Sequence, residues 1–79
     1  MSVITLPTMQ AGEKGEVVGI QGGWGMLRKL EALGIRKGVK VKKLSAQPMR
    51  GPVFVQTGNT KVAIGFGMAR RILVAINEN

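Results

Sequence analysis

The stretch VVGIQGGWGMLRKL at 17–30 strings together an apolar run, four glycines within 19–25, and a segment of helical spacing that carries Arg28 and Lys29. Strand, glycine loop and helix, in that order, build phosphate-binding loops, because glycines let backbone N–H groups close around an anion at a helix N-terminus. The residues needed to finish such a site are missing. A Walker-type loop ends in Gly-Lys-Ser/Thr, the lysine reaching the phosphates and the hydroxyl holding Mg²⁺, and the chain has no such string. The dinucleotide pattern G-x-G-x-x-G fails too, since counting from Gly23 and Gly25 arrives at Arg28, and from Gly65 and Gly67 at Arg70. What remains is a glycine turn from strand to helix with Trp24 standing in it, either as a displayed binding anchor or as a cover for one end of the fold.

Other chemistries lack their side chains. The sequence contains no His, Cys, Asp or Tyr, and its only carboxylate side chains are Glu13, Glu16, Glu31 and Glu78. General acid–base work, nucleophilic triads and transition-metal sites draw chiefly on the missing types, so neither a catalytic residue nor a cofactor is expected. Glu13 and Glu16 form the one close acidic pair, and Met thioethers suit Cu(I) better than Fe(II). No metal ligand is therefore expected in this chain. The five methionines read as gap-fillers, with Met26 and Met68 in the core.

Seventy-nine residues make one small domain, 1–79, and 23 of them are Val, Ile, Leu or Phe, enough to fold despite the net charge of +8. The lack of Cys fits a cytosolic protein. Residues 1–15 show neither the cationic n-region nor the apolar h-region of a signal peptide, and no apolar run is long enough to span a bilayer, so a soluble chain is expected. Twelve Lys and Arg against four Glu imply an acidic partner: nucleic acid, an anionic membrane surface or an acidic protein face.

The elements that would position these residues follow from periodicity. A turn signal at 12–15 leads into a strand over 13–20. Met26, Leu27, Leu30 and Leu33 share one face of a short helix, which Gly34 ends, with Ile35 folding back as in a Schellman cap. A basic turn at 36–38 precedes the alternation Val39-Lys40-Val41-Lys42, which predicts a half-buried strand. Lys43-Leu44 breaks the alternation and predicts a bulge or a change of face. Lys40 and Lys42 would point to one side, making a basic patch with Arg36 and Lys37. After a loop at 45–51 containing Pro48, strands at 53–56 and 61–64 flank Gly58-Asn59, a pair suited to a type II′ hairpin. A helical turn at 68–71 and a strand with Ile72, Val74 and Ile76 on one face complete the chain, with 77–79 free to fray. The reading is mainly β: a small, closed or nearly closed barrel of about five strands, with one inserted helix and a short helical turn before the last strand.

The motifs GEKGEVVGIQGG, LGI at 33–35, GPV at 51–53 and VAIGFGMA at 62–69 stand in an order and spacing that resembles the FeoA family of bacterial ferrous iron transport over about residues 6–76. The resemblance implies an SH3-like β-barrel in its free-standing form, similar to the C-terminal domain of iron-dependent repressors but without DNA-binding helices. It implies a cytoplasmic accessory protein that partners FeoB, a membrane transporter with a GTPase domain, and that is recruited by it to the inner face of the membrane. It also carries a family-level association with transition-metal ions. On this reading the chain is non-enzymatic, and Trp24, Met26, Arg28, Lys29, Arg36 and Lys37 form the partner-binding set, with cations steering the encounter. Self-association stays open. The alternative is a small basic nucleic-acid-binding β-barrel, disfavoured because only Trp24, Phe54 and Phe66 could stack on bases.

Overall fold

A computed structural model describes residues 1–46 and 50–77. Along the chain run β1 (Ser2–Thr5), a 3-10 turn (Leu6–Thr8), β2 (Lys14–Ile20), α1 (Trp24–Ala32), β3 (Lys40–Ala46), β4 (Val53–Thr57), β5 (Thr60–Ile64), α2 (Phe66–Ala69) and β6 (Ile72–Ile76). The strands make one antiparallel sheet in the order β1-β6-β2-β3-β4-β5. It has six strands where about five were expected. The additional one, β1, is a β-branched segment that pairs with β6 from Ser2↔Ile76 to Thr5↔Leu73. No ladder joins β1 to β5 among the described residues, so the SH3-like sheet curls without closing into a hydrogen-bonded barrel. Pro48, Met49, Glu78 and most of the terminus expected to fray lie outside the described residues.

Alternation decides which side of each strand is buried. Val17, Val41, Val53, Val55, Ile64, Ile72, Val74 and Ile76 point inward and meet Leu6, Met9, Leu30, Ile35 and Ala69 in a single core. Removing each large aliphatic group from water is worth about 1.5–3 kcal/mol. Gly15 lets β2 and β6 approach closely, because a Cβ there would lie 2.9 Å from the Ala75 carbonyl oxygen. The register slips between Val17 and Gly19 on β2 and between Lys43 and Ser45 on β3, the latter where the alternation predicted a bulge. In the hairpin loop Gly58 has φ +58° while Asn59 stays at negative φ, the pattern of a II′ turn. The helical turn starts two residues earlier than expected, and Ser45 and Ala46 extend β3 into the expected loop.

One inward position of β3 is a lysine. Lys43 is almost fully buried; its ammonium donates to the Pro7 carbonyl at 2.7 Å and to the Met9 carbonyl, and so ties the segment after β1 across the end of the core. The alternation therefore continues through Lys43 and breaks only at Leu44. Burial lowers the Lys43 pKa below its ordinary 10.5, a shift partly opposed by the nearby Glu13 carboxylate.

Lys43→Met strips both carbonyls of their donor and should cost about 1–3 kcal/mol at neutral pH. Between the lowered native pKa and 10.5 the unfolded chain holds the extra proton, so the penalty for burying the charge fades as pH rises through that window. Urea unfolding from neutral pH up to 10.5 should show the wild type gaining stability relative to Lys43→Met; a difference that stays flat or shrinks contradicts this assignment.

Candidate functional site

Glycine placement sets the start of α1. Gly23 caps the helix with extended backbone and accepts the Leu27 N–H at 3.1 Å, so Trp24 is the first helical residue. The residue is 78 % exposed, so it covers very little of the fold. The helix ends as its sequence predicted. Gly34 has φ +86°, its N–H donates to Glu31 at 2.9 Å, and the Ile35 N–H donates to Leu30 at 2.8 Å, the two bonds of a Schellman motif. Leu30 and Ile35 are both fully buried, which fixes the rotation of α1 on the core.

That rotation sorts the expected partner-binding residues. Residues three and four apart share a helix face, so Trp24 neighbours Leu27 and Arg28, and Leu27 neighbours Glu31. Lys29 lies five positions from Trp24, about 140° around the axis, on another flank. Met26 is half-buried against the core and lies over Gly22, where an added Cβ would come within 3.0 Å of its Cγ. Its place is chiefly structural.

Arg36 and Lys37 reach the same region from the other side. Their turn is tied to β2 by the Gly38 N–H on the Val17 carbonyl at 2.7 Å and by the Val17 N–H on the Val39 carbonyl at 2.8 Å, with Gly38 at φ +96°. The result is a shallow hollow of about 350 Å³ floored by Val18, Gly19, Ile20 and Leu27 and rimmed by Glu31, Arg36 and Lys37. The structure thus brings Arg36 and Lys37 together around a hydrophobic floor; Trp24 and Arg28 lie on α1 outside its lining, Trp24 one helical turn before Leu27, and Met26 and Lys29 stand apart. Sequence reasoning missed Val18, Ile20 and Leu27. Leu27 carried a signal, since it stands three residues from Trp24, whereas Val18 and Ile20 needed the tertiary packing.

Lys40 and Lys42 do share the outer face of β3, but Arg36 and Lys37 belong to the hollow beside α1. The register sets Lys14 opposite Lys42 and Glu16 opposite Lys40. The Glu13 carboxylate accepts the Gln10 N–H at 2.9 Å, a local turn contact. Among the described residues no three His, Cys, Asp or Glu side chains come together, and no helix is long and apolar enough to cross a membrane.

The model of the FeoA domain matches residues 4–76. A Methanocaldococcus jannaschii protein described as a candidate "Fe(2+) transport protein A" is 38% identical over 63 residues, 80% of this chain and 74% of its own. Among solved structures, an iron uptake regulatory protein (FeoA) is 35% identical with a TM-score of 0.86, covering 95% of this chain and 97% of that one. The FeoA protein of Chlorobium tepidum is 27% identical with a TM-score of 0.82, over 92% of this chain and 70% of its own. A manganese-dependent transcriptional repressor superposes at a TM-score of 0.86 with 24% identity, over 95% of this chain and 42% of the repressor, a likeness of fold alone.

Because Trp24 is exposed and Leu30 buried, their truncations should separate. Trp24→Ala should leave unfolding free energy within about 0.5 kcal/mol of the wild type, whereas Leu30→Ala should cost about 2–5 kcal/mol. Chemical denaturation checks both, and a large loss for Trp24→Ala would mean that the indole packs.

Proposed function

The chain belongs to the FeoA family, and from that premise we propose that it is a non-enzymatic accessory protein of ferrous iron uptake that docks the cytosolic part of a FeoB-type transporter. It acts in the cytoplasm, at the inner face of the membrane where that partner holds it, and affects the transporter's assembly or activity. The observation that carries this reading is Trp24, 78 % exposed at the first residue of α1, one helical turn before Leu27 in the floor of a hydrophobic hollow. An indole held on a helix whose rotation is fixed loses little conformational freedom on binding, and tryptophan is enriched among interface residues whose truncation is costly.

Val18, Ile20 and Leu27 give an apolar floor for a partner side chain, while Arg36 and Lys37 set a positive rim beside Glu31. Such a rim raises the encounter rate with an acidic surface and contributes less to affinity than the desolvated centre does. Nucleotide chemistry is assigned to the partner, because the glycines at 22, 23 and 25 serve the entry into α1.

Binding of the isolated cytosolic part of FeoB, measured by calorimetry at low and moderate salt, tests the proposal. Trp24→Ala should weaken it by at least about thirtyfold, the value of a 2 kcal/mol anchor. Arg36→Gln with Lys37→Gln should act mainly on the association rate and lose its effect as salt rises. Failure of the wild-type chain to bind at either salt concentration would sink the proposal.

A further inference from the structure

The outer face of the sheet carries an unusual charge arrangement. Reading outward-pointing residues across the strands, one row runs Lys14, Lys42, Gln56, Lys61, and the next runs Val3, Ala75, Glu16, Lys40. Lys14 and Lys42 are directly opposed, a placement in which like charges destabilise a sheet. Glu16 is the one carboxylate in the two rows. None of the four ammonium groups has a hydrogen-bond or ion-pair partner among the described residues. Beside the row, side chains including Lys14, Lys40, Lys42 and Gln56 wall a hollow of about 730 Å³, with Gly15 and Val41 among its lining.

We infer that this lysine row binds an acidic polypeptide segment, lying in an extended form across β2, β3, β4 and β5. Charge complementarity supplies the reason: three lysines in one row face solvent without a counter-charge, in a chain of net charge +8. The geometry selects a peptide over the other polyanions. None of the three aromatic residues lines the hollow, so the base-stacking platform of a single-strand site is missing. A hollow walled by side chains admits a narrow chain and not the flat surface of a bilayer. Lysines act as flexible point charges and need no fixed fork geometry, which suits carboxylates spaced along an extended chain. The inference stands apart from the Trp24 site and does not depend on it.

The probe is a fluorescent octapeptide of glutamates, titrated into the full chain at about 50 mM salt, where screening is modest. The wild type should bind it, and Lys14→Gln with Lys42→Gln should weaken binding about fivefold to tenfold, the effect of losing two exposed ion pairs. Arg70→Gln with Arg71→Gln removes the same net charge at the opposite end of β6 and should change binding less than about twofold. Thermal melting should find the Lys14/Lys42 variant at least as stable as the wild type, because the opposed charges are gone. Should that variant unfold, Lys61→Gln at the exposed edge supplies the same binding readout. The inference is overturned if the octapeptide does not bind, if both double variants lose binding equally, or if a thymidine octamer or phosphatidylserine vesicles bind more tightly through the same lysines.

Discussion

At Gly15 a hydrogen atom occupies the only space that a side chain would have, because a Cβ would sit 2.9 Å from the carbonyl oxygen of Ala75. The close approach matters because β2 joins the two halves of the sheet, with β6 and β1 on one side and β3, β4 and β5 on the other. If β2 could not lie close to β6, the inward valines and isoleucines of the two halves would not meet in one core. Among the described residues, eight of the thirteen buried hydrophobic ones lie on these strands, so most of the core depends on that junction. The register slip between Val17 and Gly19, just beyond the close contact, turns the end of β2 toward the glycine turn and α1.

The sequence carried much of the local structure because local rules decide it. Gly34 and Ile35 announce a Schellman cap, Gly58-Asn59 a II′ turn, and Ile72, Val74 and Ile76 a strand with one buried face, and each forms where the pattern puts it. Trp24 was legible as a residue in need of an explanation, and α1's rotation provides its exposure. Register and long-range packing were not legible. β1 needs β6 as a partner before it counts as a strand, and nothing within 2–5 reveals which segment that will be. Val18 and Ile20 join Leu27 only once the 36–38 turn is pinned to β2.

Lys43 shows how a polar residue can mislead a pattern. A cation at an inward position reads as a break in the alternation, yet here it continues the buried face, because two backbone carbonyls at the end of the 3-10 turn would otherwise lack donors. Those carbonyls and Lys43 lie more than thirty residues apart in sequence, so no local window contains both. The cost of dehydrating the ammonium is set against the cost of two unpaired carbonyls, and the lowered pKa records that burial weighs on the charged form.

The same division between inside and outside organises the charge. With the core claiming one face of every strand, most of the net charge falls on the rest of the surface, and pairing between strands then sets the spacing of the lysines. Val18 lines both hollows, the one beside α1 and the one over the lysine row, so the two regions adjoin along β2. Arg36 and Lys37 rim the first while Lys14, Lys40 and Lys42 wall the second, and only Glu16 and Glu31 among the lining residues of the two carry negative charge. The positive charge on this side of the molecule is therefore shared by both hollows, while Leu27, one helical turn from the exposed Trp24, belongs to the first alone. On the proposed reading, long-range attraction would draw acidic partners toward the whole side, and short-range packing against Trp24, Leu27 and Ile20 would distinguish among those that arrive.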